Sequence, residues 1–279
     1  MPSLTRADAL AVADLLAAAG RDEIMPRFRG AQTFETRQKT SAFDVVTDAD
    51  EAAERAITRG LRARFAGATI VGEEASERDP SLLSRIAGDA LCFVVDPIDG
   101  TKNFSSGLPL FGSMVAATVN GEVALAAIHD PVCGDTFLAL RGEGAWRQDA
   151  EGRTRDLRVA APVPVDQVHA VAGTNFLPPD LRATVTGNLA RLGLTFWTRC
   201  AAHEYRLAAA GHLHVLMYNK LMPWDHAAGW LLHREAGGYS AHFDGTAYAP
   251  SHFTGGLICA PDRPSWDAVR AALFTPSSS

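Results

Sequence analysis

Two hydrophobic rhythms alternate along this chain. Over residues 5–28 the apolar positions recur at helical spacing, and the pattern predicts an amphipathic helix interrupted near Gly20. The stretch DADEAAERAITRGLRARF, starting at Asp48, predicts a second helix, with Asp48 and Glu51 spaced as a capping box. Short continuous apolar runs read as buried strands over 68–72 and 91–95, with a helix over 81–87 between them. The runs 110–119 and 123–129 flank Asn120-Gly121, and an Asn-Gly pair between apolar runs signals a hairpin. Residues 137–140 add a strand before the turn at Gly142-Glu143-Gly144. A polar, proline-containing zone over 149–164 divides an N-terminal half, 1–150, from a C-terminal half, 151–279. In the second half, strands over 168–172 and 195–198 alternate with helices over 181–192, 202–210 and 225–236. No internal repeat is present, and the elements predict mixed α and β, antiparallel-rich first and α/β afterwards.

Composition narrows the function classes. With 47% hydrophobic and 21% charged residues, the chain has the make-up of a folded protein rather than a disordered one. Its formal charge is −6 and its basic residues are scattered, so nothing predicts a polyanion surface and no nucleic-acid partner is expected. Cys92, Cys133, Cys200 and Cys259 lie far apart among apolar or small residues, which predicts buried thiols and a cytoplasmic setting. The first helix carries acids within its apolar run and does not read as a secretion signal. No apolar run approaches the ~18 residues of a membrane span.

The chemistry gathers where apolar elements end. The run Leu91-Cys92-Phe93-Val94-Val95 stops at Asp96-Pro97-Ile98-Asp99-Gly100-Thr101, and further acids stand at element ends: Asp50, Glu73, Glu74 and Asp225. Singly, each has a structural role to fill: Asp50 in a helix's first turn, Glu73 and Glu74 solvated after a strand, Asp96 and Asp99 in turns, Asp225 as an N-cap. Together they form an oxygen-rich donor set without histidine or cysteine, which suits Mg²⁺ or Mn²⁺ over Zn²⁺. Pro97 stiffens the turn, Gly100 opens conformations closed to other residues, and Thr101 offers a hydroxyl. Nine histidines invite zinc, but His212-x-His214 and His226 match no zinc spacing. A G-x-S-x-G elbow is absent.

Four segments in order, Asp44-Val-Val-Thr-Asp-Ala-Asp50, Gly72-Glu73-Glu74, Asp96-Pro-Ile-Asp-Gly-Thr101 with Asn103-Phe104, and Trp224-Asp225-His-Ala-Ala-Gly229, resemble the inositol monophosphatase family. The resemblance implies a layered αβαβα sandwich of the sugar-phosphatase type, magnesium-dependent hydrolysis of a small polyol or sugar-type phosphate, and a homodimer. It implies that Glu73, Asp96 and the carbonyl of Ile98 hold one Mg²⁺, that Asp96, Asp99 and Asp225 hold a second, and that Glu73 helps a third, weaker ion. It gives Asp50 and Thr101 the attacking water, Gly100 and Thr101 the phosphate, and Glu74 and Lys39 supporting positions. Lithium inhibition is expected on the same ground.

The substrate wall is expected in the second half: Gly173, Thr174, Arg199, His203, Tyr218 and Lys220. Inositol phosphatases carry an acid where this chain has Tyr218, which turns attention to other phosphate esters. Ser106-Gly-Leu-Pro-Leu-Phe-Gly112 resembles a segment of histidinol-phosphate phosphatases. Fructose 1,6-bisphosphate and nucleotide 3′-phosphates are the further alternatives, and Lys220 is either solvated or faces a second phosphate or a carboxylate. A non-enzymatic alternative is a binding role in an RNA-related assembly, as some relatives have; no basic or aromatic-rich stretch supports it.

Overall fold

The computed structural model of the chain describes residues 4–30, 37–38, 45–46 and 48–275. Its elements begin with α1 (Arg6–Ala19), a π-helical turn (Gly20–Ile24), α2 (Met25–Gly30), β1 (Arg37–Gln38), β2 (Val45–Val46), α3 (Asp48–Arg64) and β3 (Thr69–Gly72). There follow α4 (Glu73–Arg78), a 3-10 turn (Pro80–Ser84), α5 (Arg85–Gly88), β4 (Leu91–Asp99), α6 (Thr101–Ser105), β5 (Gly112–Val119) and β6 (Glu122–Asp130). Next come β7 (Asp135–Leu140), β8 (Gly144–Gln148), β9 (Thr154–Asp156), β10 (His169–Ala172), α7 (Pro179–Asn188), β11 (Leu194–Phe196) and α8 (Ala201–Ala209). The chain closes with β12 (Val215–Tyr218), α9 (Pro223–Glu235), β13 (Tyr239–Ala241), β14 (Leu257–Ala260) and α10 (Arg263–Phe274).

The break expected near Gly20 is the π-helical turn. A Cβ on Gly20 would sit 3.1 Å from the Pro131 Cβ and 3.2 Å from His129 Nε2, so glycine lets this helix press against the end of β6. The capping box stands at Thr5 and Asp8, where Thr5 Oγ1 accepts the Asp8 N–H and the Asp8 carboxylate accepts the Thr5 N–H at 2.9 Å. Asp48, expected to cap, is instead the first residue of α3, and its carboxylate accepts from Arg27 at 3.2 Å. The Asn120-Gly121 hairpin forms with φ of 51° and 80°, the positive pair that a two-residue turn of matching twist needs.

β3 to β9 form a seven-stranded sheet in sequence order, antiparallel except for the β3–β4 pair. A five-stranded sheet has the order β11-β10-β12-β14-β13, with its first three strands parallel. Alternation along β4 builds the layers. Phe93 and Val95 pack against α1 and α3, whereas Cys92 and Val94 face the layer of α8 and α9. That helical layer also meets Val171, Leu216 and Cys259 of the smaller sheet. The opposite face of that sheet, with Ala170, Val215 and Ile258, packs on α10 through Trp266, Val269 and Leu273. The result is the layered αβαβα fold.

Four elements, β4, β12, β14 and α10, differ from the sequence pattern. β4 continues past Val95 to Asp99, because the ladder to β5 breaks register between Asp96 and Asp99 and tolerates Pro97 there. Strands β12 and β14, four residues each, and helix α10 are additions whose short or mixed apolar runs carry weak periodic signal. Cys133 is exposed on the turn after β6, while the other three thiols are buried as expected.

Candidate active site

The site begins where β4 loses its partner. Pro97 keeps its carbonyl satisfied by the Ser113 hydroxyl at 2.7 Å, and the chain then turns through Gly100 at φ +86°. A side chain on Gly100 would meet the Leu110 carbonyl at 2.9 Å and the Cys200 Sγ at 3.2 Å, so only glycine fits. Asn103 anchors the following turn, its side-chain amide donating to the carbonyls of Leu110 and Thr198, both at 2.8 Å.

This turn brings Asp96 and Asp99 against Asp225 on the first turn of α9; ligand oxygens of all three lie within 4.8 Å of one another. Met222, not Asp225, is the N-cap of α9, and the Asp225 carboxylate has an oxygen in the cluster. Asp96 is buried and its Oδ1 has no hydrogen-bond partner. Burial, with the charges of Glu73, Asp99, Asp225 and Asp50, holds its carboxyl well above the usual range. A buried carboxylate oxygen left bare among other acids is a poor arrangement without a cation and a good one with it. The donor chemistry therefore fits a hard divalent ion, held by Asp96, Asp99 and Asp225.

Asp99 is also pushed up, to about 6, by burial. Three donors oppose that shift: the Ala202 N–H at 2.5 Å from Oδ2, the Cys200 thiol at 3.0 Å from the same oxygen, and the Gly100 N–H. Glu73 lines the cavity beside them, at the start of α4. The carboxylate of Glu54, from α3, accepts the N–H groups of Glu74 and Ala75 at 2.7 and 3.0 Å and so caps that helix. Glu54 carried no signal in the sequence beyond its place in a helix. Thr101 donates to the Ile98 carbonyl at 3.0 Å and approaches Asp50 Oδ1 at 3.2 Å, and Asp50 is buried behind it. Glu74 is buried, and Lys39 lies outside the described residues.

The model of the inositol monophosphatase family matches residues 6–278. The chain belongs to this family. It is 32% identical over 226 residues to the Nus factor SuhB of Escherichia coli K12, covering 80% of each chain. It is 33% identical over 211 residues to the histidinol-phosphatase of Chlorobaculum parvum, covering 75% of each. The crystal structure of the extragenic suppressor protein suhB from Bartonella henselae superimposes with a TM-score of 0.82 at 26% identity, over 95% of this chain and 98% of that one. The family is one of phosphatases.

A wall encloses the space above the acids. A cavity of about 470 Å³ opens over them, bounded on one side by the carboxyl ends of β10, β11 and β12, where open α/β sheets place ligands. Gly173, Arg199, Tyr218 and Lys220 line it, as expected. Thr174 and His203 do not. Val171, Gly173 and Asn175 face the cavity at alternate positions, which turns Thr174 away. On α8, Cys200, Ala201 and Glu204 face the cavity, whereas His203 points to the other side, with Nε2 at 3.1 Å from the Phe111 carbonyl and Nδ1 at 3.0 Å from Arg206.

Tyr218 is tied on the wall to a buried acid. Its hydroxyl donates to Glu204 Oε2 at 3.0 Å, and the same carboxylate takes the N–H and hydroxyl of Thr198 at 3.0 and 2.8 Å. Burial raises the pKa of Glu204, and these three donors act against it. An acid thus stands at the wall, hydrogen-bonded to the tyrosine. Among the described residues the converging group of three possible ligands holds no histidine.

Proposed function

We propose that this protein is a Mg²⁺-dependent phosphomonoesterase acting on a small phosphorylated metabolite. The carrying observation is the convergence of Asp96, Asp99 and Asp225, with a buried, unpartnered oxygen on Asp96. Oxygen-only donors favour Mg²⁺, with Mn²⁺ as a substitute. Glu73, Asp96 and the Ile98 carbonyl would hold one ion; Asp96, Asp99 and Asp225 a second; Glu73 would contribute to a third. Bound there, the ions would supply charge neutralisation for the phosphate and activation of water.

The chain's own groups do the rest. Hydrolysis joins a water oxygen to phosphorus and breaks the phosphorus–oxygen ester bond; the alcohol leaves with a proton. The Thr101 hydroxyl, donating to Ile98, would accept from the attacking water and orient it, and the Asp50 carboxylate beside it would take the water's proton; the proton on the departing alcohol comes from solvent. Thr101's position is fixed by the Ile98 carbonyl, so its lone pair points out of the turn. The Gly100 N–H already serves Asp99, which leaves the Thr101 N–H as the phosphate donor of this pair. Phosphoryl transfer is served by positioning and charge, and no protein nucleophile is required. A homodimer in the cytoplasm is the expected setting; no helix of the described residues is long and apolar enough to cross a membrane.

The test is phosphate release from a panel of esters with Mg²⁺ and with EDTA. Metal-dependent release is expected, and Asp96→Asn or Asp225→Asn is expected to reduce it at least ~10³-fold, since each removes a shared ligand. Hydrolysis that survives either change would sink the reading. Metal-independent binding of a macromolecule that persists in both variants would favour the non-enzymatic alternative.

A further inference from the structure

The floor of the cavity is acidic, but its rim is not. Arg199, Lys220 and Arg182 line the rim at the carboxyl ends of the three parallel strands and the start of α7, beside Phe176, Trp197 and Asn175. Elsewhere on the molecule arginines pair with carboxylates: Arg206 with Asp130 and Asp135, Arg147 with Asp135, Arg85 with Asp89. Among the described residues Arg199 and Lys220 pair with none, although Glu73, Glu77 and Asp99 line the same cavity. Lys220 instead sits over the Phe176 ring at 6.0 Å, and Arg182 reaches only Asn175, at 3.4 Å.

Two further observations mark this rim as built for a ligand. Arg199 has φ +59°, a left-handed backbone that a long side chain adopts at a cost. That backbone lies between Trp197 and Cys200, at the entrance to α8. Phe176 and Trp197 are 62% and 47% exposed, so the described residues leave these faces largely uncovered. On the polar side, the groups best suited to sugar hydroxyls are engaged: Tyr218 donates to Glu204, and Glu204 accepts three hydrogen bonds. The wall therefore presents uncommitted cations and committed acceptors.

We propose that the alcohol part of the substrate carries a second anionic group, a phosphate or a carboxylate, held by Arg199 and Lys220. This rests on the phosphatase reading of the same site. The reacting phosphate lies over the acids and their cations, and the second anion lies toward the strand ends, where the guanidinium and ammonium are in no ion pair with the carboxylates that share the cavity. A neutral polyol leaves both cations unpaired in the filled cavity, and an ammonium-bearing alcohol is repelled.

The experiment compares kcat/KM for the full chain in Mg²⁺ on four esters. Fructose 1,6-bisphosphate carries a second phosphate, 2-phosphoglycerate a carboxylate, glycerol 2-phosphate a neutral alcohol, and histidinol phosphate an ammonium. At least one doubly anionic ester is expected to exceed glycerol 2-phosphate by ~10-fold or more, with histidinol phosphate last. Which of the two leads identifies the second group. Lys220→Met, which keeps the stem against Phe176, and Arg199→Asn, which tolerates the left-handed backbone, are each expected to lower that preference ratio about tenfold through KM. A neutral or ammonium ester ranked first, or a ratio unchanged in both variants, overturns the inference. Calorimetric titration with methylenediphosphonate in Mg²⁺ separates the two readings. Binding that weakens in both variants, with no ester hydrolysed, keeps the anion site and removes the phosphatase. Hydrolysis with no charge-dependent preference keeps the phosphatase and removes the anion site, and neither binding nor hydrolysis removes both.

Discussion

A thiol and a carboxylate share a hydrogen bond at the edge of the carboxylate cluster: Cys200 Sγ lies 3.0 Å from Asp99 Oδ2. Burial pushes the thiol's pKa far up, so it stays protonated and donates. With the Ala202 N–H on the same oxygen, Asp99 is fixed in orientation and its other oxygen is turned to the cluster. Groups that orient a metal ligand typically change affinity ~10–100-fold when removed. Cys200→Ala is therefore expected to raise the Mg²⁺ concentration for half-maximal activity by about tenfold, while Cys200→Ser, which keeps a donor, stays near wild type. Equal half-saturation in Ala and wild type would show the thiol to be mere filling. The sequence offered Cys200 only as a buried thiol, because a partner a hundred positions away has no local signature.

Among the elements, α4 is held by a single buried side chain. The carboxyl of Glu54 fills the space a Cβ on Gly72 would need, at 2.4 Å, and accepts two N–H groups at the helix start that carries Glu73. Glu54→Ala leaves both donors buried, and a loss of about 1–3 kcal/mol in urea unfolding is expected, together with weakened Mg²⁺ activation. Unchanged stability would mean that water replaces the carboxylate. Where α8 crosses α9, Gly229 lets Tyr205 lie flat: a Cβ there would be 2.0 Å from the ring. Gly229→Ala is expected to cost at least ~1–3 kcal/mol despite the better helix propensity of alanine, because the ring is fully buried and cannot yield. A stabilised variant would contradict this packing.

For the molecule as a whole, acid sensitivity has two opposed sources. His129 and His233 are buried, and burial depresses each to about 4, below the ordinary value of 6.5. His129 sits among Asp130, Arg206 and Thr136, and its neutral ring bonds the Thr136 hydroxyl at 2.9 Å. Between these pH values the unfolded chain binds protons that the fold refuses, so stability falls as pH drops, by about 1.4 kcal/mol per pH unit for each histidine. Asp96 and Asp99 act oppositely: their raised values mean that the fold gains protons there as pH drops. In EDTA the two effects offset each other. An Asp96→Asn, Asp99→Asn double variant is therefore expected to show a steeper loss of stability from pH 6.5 to 4 than wild type in EDTA. Parallel pH curves for the two proteins would refute this account.

The turn that carries two of the clustered acids was legible in the sequence because it is written in local terms. Asp96, Asp99, Gly100 and Thr101 share one turn, and strand alternation and glycine chemistry fix how such a turn must be built. The hairpin at Asn120-Gly121 and the interruption at Gly20 were legible for the same reason, that their cause lies within a few residues. What only the tertiary structure decided is every relation that spans layers. It brought Asp225 from α9 to the end of β4, set Glu54 beneath Glu73, and tied Cys200 to Asp99. It also turned His203 and Thr174 out of the cavity that their neighbours line, because a helix advances about 100° per residue and a strand 180°. A sequence shows which residues can do chemistry; the angle at which two sheets enclose a helical layer decides which of them meet.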